Sequence, residues 1–340
     1  MNSFGRIFRV HIFGESHGAA IGVTIDGCPA GIALKQEDFF TDIQRRKAGK
    51  AGTSPRTEED IPELISGVFN DRTTGAPLTI LFKNNNTRSG DYETLRNSPR
   101  PGHADFVLDK KFNGHNDYRG GGHSSGRLTL CLVAAGVVAK KLLNNISIEA
   151  RLTEAGGSEN IEAAIATAIG QQDSIGGIVE CRVNGLPVGL GEPFFDSVES
   201  LIAHAVFSIP AIKGIEFGSG FKAASMKGSE HNDAFINAEG TTKTNHAGGI
   251  NGGITNGNEL TFRLAVKPTS SIPQTQQTWN KTTETIQPMT VKGRHDLCIA
   301  LRVPAVVEAV TAMVLADLTT LYLSLKANQL NIISDLVKEF

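Results

Sequence analysis

GRLTLCLVAAGVVAKKLLNN (126–145) is apolar nearly all round for the length of a helix. A helix without a polar face must be covered on most of its sides. The rest of the chain offers that cover. Its 37 glycines and many short β-rich runs predict a sheet-heavy protein with a few long helices. Strands are expected over 7–13, 20–25, 63–69, 78–83, 145–151, 177–184 and 259–266. Helices are expected over 35–46, 125–144, 159–170, 196–208 and 304–327. A helix held between sheets satisfies an all-round apolar segment.

An internal echo works outward from the same pattern. TIDGCPAGI (24–32) and RVNGLPVGL (182–190) each follow a β-rich run and precede a helical one, KQEDFFTDIQRR and FFDSVESLIAHA. A turn followed by a helix produces this by coincidence; an ancestral duplication produces it as well. No Pro- or Ser-rich linker separates the halves, so residues 1–340 read as a single domain.

Composition narrows the function. Apolar content of 40% and charged content of 20% fit a soluble globular chain. No stretch reads as long and apolar enough to cross a membrane, and MNSFGRIFRV is not a signal peptide. Cys28, Cys131, Cys181 and Cys298 lie far apart, as core thiols of a reducing cytoplasm would. Net charge is −2, from 33 Lys+Arg against 35 Asp+Glu. Cations nevertheless gather locally: five without an acid in RRKAGKAGTSPR (45–56), and others beside Gly, Ser or His at Arg100, Arg119, Arg127, Lys267 and Arg294. Cations in glycine-rich loops of a slightly acidic protein point to small polyanionic ligands. Nucleic acid fits poorly, because aromatics are 6% and do not interleave with these cations.

Six stretches could carry chemistry. GESHG (14–18) matches the G-x-S-x-G elbow of serine hydrolases, yet AAIGVTIDG after it reads as a strand where the elbow needs a helix. RGGGHSSGR (119–127) runs into the buried helix, so Ser124 and Ser125 cap it and its free N–H groups offer a phosphate cradle, or simply a capped turn. RPGHAD (100–105) places His103 near Asp105, as a proton donor or a turn histidine. In KGRHDLC (292–298), Asp296 is a base or an N-cap. KPTSS (267–271) pairs a cation with three hydroxyls, while NHAGGINGGITNG (245–257) hugs a flat cofactor or only turns. The nine histidines show no H-E-x-x-H or Cys-paired spacing, so no metal is expected. No G-x-G-x-x-G follows a strand, which removes support for a Rossmann unit.

Taken together, FGESHG, SGVF…TTG, RPGHAD, the HSSGR segment, DSIG, GLGEPFFD, IKGIEFG, NHAGGI-GGI, KPTSSI and GRHD resemble the chorismate synthase family, in that family's order, from residue 13 to about residue 310. The resemblance implies an α+β fold: a β-α-β sandwich with helices packed between antiparallel sheets, with which an internal pseudo-twofold repeat would agree. It implies a cytoplasmic homotetramer catalysing 1,4-anti elimination of phosphate from 5-enolpyruvylshikimate 3-phosphate, a phosphorylated dicarboxylate, to give chorismate. Reduced FMN (FMNH2) is the implied cofactor, lending electron density transiently without net oxidation. No reductase domain or nicotinamide fingerprint is evident, so reduced FMN is expected from elsewhere rather than from NADPH on this chain. The implied catalytic residues are His17 at the leaving phosphate, His103 beside the flavin ring, and Asp296 assisting removal of the ring proton, with flavin N5 open as the base itself. Arg46, Arg100 and Arg127 are the implied substrate ligands. His123, Ser124, Ser125, Pro210, Ala211, Gly252, Lys267, Pro268, Thr269, Ser270, Ser271 and Arg294 fall at flavin-contacting positions. Departures from the family pattern are His123 for a frequent arginine, Pro210 for an asparagine, Leu297 for a proline, RRKAGKAG for RRRPG, and a shorter 150–175 region. On the resemblance GESHG matters for His17. A serine hydrolase using Ser16 and an inactive flavin-binding relative are the competing classes.

Overall fold

Residues 2–49, 51–54, 58–85, 93–291 and 295–329 are described by a computed structural model of the chain. The first sheet contains β1 (Ser3–Phe4), β2 (Arg9–Gly14), β3 (Ala20–Asp26), β4 (Glu63–Ser66) and β7 (Leu78–Lys83), in the order β1-β2-β3-β7-β4 and antiparallel throughout. Alternation along β3 and β7 explains the pairing. Ile21, Val23 and Ile25 lie opposite Phe82, Ile80 and Leu78, all six fully buried on one face. Between β4 and β7, β5 (Val68–Phe69) and β6 (Arg72–Thr73) form a small hairpin.

The second sheet contains β8 (Ser147–Ala155), β9 (Gly177–Asn184), β10 (Ile212–Phe217) and β13 (Leu260–Val266), in the order β10-β13-β9-β8 and again antiparallel. Its buried face sets Leu260, Phe262 and Leu264 against Val183, Cys181 and Val179. Two further hairpins, β11 (Ile250–Asn251) with β12 (Ile254–Thr255) and β14 (Thr275–Asn280) with β15 (Thr285–Thr290), stand apart from the sheets.

The expected all-round apolar helix is α4 (Thr129–Leu142), buried without a break from Thr129 to Ala139. It follows a 3-10 turn, Gly126–Leu128, whose N-cap Ser125 accepts the Arg127 N–H. One side of α4 packs on β2 and β3, and another on α8 (Val303–Gln329). In turn α8 packs on β8 and β9 and against α6 (Val198–Val206), while α1 (Phe40–Arg46) touches both α4 and α8. Helices α4 and α8 come close at Gly136, where a Cβ would lie against the Cα and Cβ of Ala309. Shorter helices are α2 (Glu93–Asn97), α3 (Asp105–Lys111), α5 (Ile161–Gln171), which packs on β8, and α7 (Gly228–His231). The chain is therefore α+β, and its two sheets share one connection pattern. The strands and helices β2, β3, α1, β4, β7, α4 recur as β8, β9, α6, β10, β13, α8, with strand orders β2-β3-β7-β4 and β8-β9-β13-β10.

Several sequence expectations need correction. The strand expected over 63–69 divides at Gly67, which has φ +83 and sits against Leu78, so Val68–Phe69 leaves the sheet. The strand expected over 7–13 is β2 and begins at Arg9, because the buried Asp317 carboxylate of α8 accepts the N–H groups of Arg6, Ile7 and Phe8 at 2.7–3.0 Å. By length and composition the helix Ile299–Lys326 could cross a membrane, contrary to the reading of the sequence, but 78% of its most apolar window is buried inside the protein. All four cysteines are buried free thiols.

Candidate active site

The GESHG stretch is the link between β2 and β3, so a strand follows it and no hydrolase elbow forms. Ser16 is buried; its N–H donates to the Gly122 carbonyl at 3.2 Å, and its Oγ lies 3.2 and 3.3 Å from the carbonyls of Arg119 and Gly120. The same Oγ is 3.0 Å from His17 Nδ1. These bonds fasten the link to the glycine segment, where Gly120, Gly121 and Gly122 take φ of 58, 85 and 53°. Glycine is required at 120: a Cβ there would fall on the His17 ring and 2.7 Å from Ser16 Oγ.

Downstream of the glycines, His123 Nδ1 donates to the Gly14 carbonyl at 2.7 Å, and Nε2 faces Asn2 Oδ1 at 3.1 Å. Arg100 and Asp105 form a fork, Nε and Nη2 each 2.8 Å from a carboxylate oxygen, with the Arg100 N–H adding a third bond. His103 Nδ1 lies 2.6 Å from Asp105 Oδ1, and Arg100 Nη1 donates to Ser271 Oγ at 3.0 Å. Burial pushes the Asp105 carboxyl up, but the bonds from Arg100 and His103 outweigh it and hold it far below the usual carboxylate range. Lys267 Nζ donates to the Gly102 carbonyl and to Ser270 Oγ, both at 2.8 Å. Burial, assisted by Lys213, pulls the Lys267 ammonium below its ordinary value. Thr269 Oγ1 is buried with no hydrogen-bond partner among the described residues.

Most of these groups line two adjoining cavities that share Gly120, Ser125, Gly126, Thr129, Pro210, Thr269 and Ile299. One is bounded by His103, His123, Ser124, Ser125, Pro210, Ala211, Lys267, Pro268, Thr269, Ser270 and Ser271. The other is bounded by Arg46, Arg100, Arg127 and Asp296. Arg46, Arg100 and Arg127 border only the second cavity, whereas Ser125, Pro210 and Thr269, expected at the flavin, border both. His17 lies behind Gly120 rather than in either lining. Gly252, in the β11–β12 turn, lines neither, and Arg294 lies outside the described residues.

The second cavity also holds groups that the sequence reading missed. Its five cations, Arg46, Lys47, Arg100, Arg127 and Arg302, face three carboxylates, Glu58, Asp60 and Asp296, which leaves the lining net positive. Arg127 pairs with Glu58 and with Asp60 at 2.9 Å, and its Nε donates to Asn84 Oδ1 at 2.6 Å. Arg46 donates to Thr129 Oγ1 at 2.9 Å and to the carbonyls of Gly126 and Arg127. Burial, with Arg302 and Arg127 nearby, pushes the Arg46 guanidinium down to about 9 despite Asp60. Asp296 Oδ1 accepts the Ser54 N–H at 2.8 Å, and Oδ2 accepts Arg302 Nη1 at 3.0 Å. A lone cation inside the apolar run CIALRVPAVV (298–307) was the available signal for Arg302; nothing local marks Asp60. Among the described residues no group of three His, Cys, Asp or Glu is placed to hold a metal.

The family described as chorismate synthase matches residues 8–320. A chorismate synthase of Chitinophaga pinensis is 69% identical, over 93% of this chain and 96% of that protein. One of Dehalococcoides mccartyi is 46% identical over the same shares, and one of Methanosarcina mazei is 43% identical over 93% and 95%. Among solved structures, a crystal structure of chorismate synthase matches with a TM-score of 0.72 at 26% identity, over 93% of this chain and 92% of that one. The chain belongs to the chorismate synthase family, and its activity is that family's, a lyase reaction of the shikimate pathway.

Proposed function

We propose that the cavity bounded by His103, His123 and the 267–271 loop binds reduced FMN, and that the arginine-lined one binds 5-enolpyruvylshikimate 3-phosphate. From that substrate the enzyme eliminates phosphate in the 1,4-anti sense to give chorismate. Thr269 carries the reading: it lines both cavities, its Oγ1 is buried with no partner among the described residues, and such a hydroxyl points to a ligand that supplies one. The same lining fits a flavin phosphate and ring, with Lys267, Ser270 and Ser271 as donors and open backbone at Gly126. When bound, reduced FMN supplies electron density to the substrate as phosphate departs.

This chain's residues do the rest. The net positive lining draws in a substrate with two carboxylates and a phosphate. Arg46, Arg100 and Arg127 are already fixed by protein partners, so they present charge without reorganising. His17, braced by Ser16 and Gly120, serves the leaving phosphate. Asp105 and Arg100 orient His103 from its Nδ1 side and leave Nε2 for the cofactor. Asp296, held by Ser54 and Arg302, assists removal of the ring proton.

The finer architecture follows the same reading: one domain, a β-α-β sandwich in which α4 and α8 lie between the sheets, and two halves related by a pseudo-twofold. Its support is the packing of α4 on β2 and β3, that of α8 on β8 and β9, and the matching strand orders. A cytoplasmic homotetramer is supported by the free thiols and by Phe194, Phe195 and Phe221, which stand more than four-fifths exposed.

Anaerobic turnover tests the assignment. Chorismate should appear from 5-enolpyruvylshikimate 3-phosphate with chemically reduced FMN, and not with FMN alone or FMN plus NADPH. Turnover with FMN plus NADPH would show that the chain reduces its own flavin. No turnover by folded protein under any of these conditions would overturn the reading.

A further inference from the structure

We infer that Arg302 is a positioning residue for proton removal, aligning the Asp296 carboxylate through its guanidinium while itself anchored to the backbone of Arg46. The inference rests on the role given to Asp296 above. In that step the ring C–H bond breaks and its electron pair forms the new double bond. The existing double bond shifts, the C–O pair leaves with phosphate, and the proton passes out by way of Asp296. A carboxylate serving such a step must hold one oxygen on the line of the C–H bond, and misplacement by about 1 Å costs on the order of 100-fold in rate.

Asp296 has no helix or strand of its own to hold it. Its orientation comes from two sides: the Ser54 N–H on Oδ1 at 2.8 Å and Arg302 Nη1 on Oδ2 at 3.0 Å. Arg302 is well suited to the second bond. It closes the 3-10 turn Ile299–Arg302, which runs directly into α8. Its Nε donates to the Arg46 carbonyl at 3.0 Å, at the end of α1. Because a guanidinium is planar, fixing Nε and Nη1 fixes the whole fork. The Asp296 carboxylate is thereby referenced to two packed helices rather than to the loop that carries it. Arg46, one of the substrate cations, is set by the same tie.

The test compares Arg302→Gln, Arg302→Lys, Asp296→Asn and the double variant Arg302→Gln/Asp296→Asn with reduced FMN. Arg302→Gln should lower kcat about 10- to 100-fold with KM changed less than about 3-fold. It should also raise the primary isotope effect on a substrate deuterated at the carbon that loses its proton. Arg302→Lys should recover part of the rate. The double variant should be no slower than Asp296→Asn, because residues acting as one unit are not additive. Crystals of ligand-free Arg302→Gln should show the Asp296 carboxylate turned from its position. Full additivity, an unchanged isotope effect, or an undisturbed carboxylate would each overturn the inference. A disabled Asp296→Asn beside a fully active Arg302→Gln would overturn it alone, whereas near wild-type turnover by Asp296→Asn would remove the Asp296 role beneath it.

Discussion

At the scale of single residues, the site depends on what glycine leaves out. Gly120 has φ +58, and its missing side chain is the space in which the His17 ring and Ser16 Oγ sit. Gly120→Ala should therefore act as an indirect deletion of His17. The backbone strain costs about 1–3 kcal/mol, which a large core tolerates, but the imidazole must leave its place. We expect kcat to fall at least about 100-fold, the low end of what a positioned acid or base supplies, with circular dichroism unchanged and His17→Ala giving a comparable loss. A Gly120→Ala enzyme retaining near wild-type turnover would show that His17 does not act from this position. The sequence displayed this site unevenly. Cations beside glycines or hydroxyls in RGGGHSSGR, RPGHAD and KPTSS were visible because each lies within a few residues of its loop. Arg302 and Asp60 were not, because their meaning depends on partners far along the chain: Arg302 on Arg46, and Asp60 on Arg127.

At the scale of elements, legibility followed burial. Strands β3, β7, β9 and β13 bury alternate residues, so their period shows in the sequence. The pair β14 and β15 has no buried residue on either strand, and α3 buries none of its seven; neither carries an apolar stripe to read. In β10 the register shifts between Ile212 and Gly214, which hides its alternation. What the pattern could not give is the distance between α4 and α8, which Gly136 sets. With Ala309 at the place where a Cβ would stand, Gly136→Val must push two buried helices apart. Overpacking of that kind costs about 1–3 kcal/mol or more, against a helix-propensity gain from losing glycine of only a few tenths. Chemical denaturation should show a lower midpoint with the slope preserved. Because α4 opens at the shared cavity wall and α8 continues from Arg302, turnover should fall as well. An unchanged midpoint would mean that the helices are not in contact at this residue.

At the scale of the whole molecule, the repeated strand order accounts for where the site lies. Both α4 and α8 are apolar helices preceded by a 3-10 turn, Gly126–Leu128 before α4 and Ile299–Arg302 before α8. Both turns line the cavities, one with Arg127 and the other with Arg302. The candidate site thus lies where the leading ends of α4 and α8 come together. Away from it lies a second surface: Phe194 and Phe195 are 87% and 93% exposed, and Leu323 and Leu325 on the far part of α8 are 57% and 44% exposed. Two phenylalanines in water side by side forgo several kcal/mol of burial, at about 25 cal/mol per Å², and a closed symmetric assembly recovers it by covering the same patch on each copy. Sedimentation equilibrium should give the mass of a tetramer for the wild-type chain and a smaller species for Phe195→Glu. That variant should keep its secondary structure, because the side chain touches little of its own fold. A wild-type monomer would remove the assembly altogether. A tetramer undisturbed by Phe195→Glu would place the contact on another face, with Phe221 and Phe235, 84% and 73% exposed, as the next positions to charge.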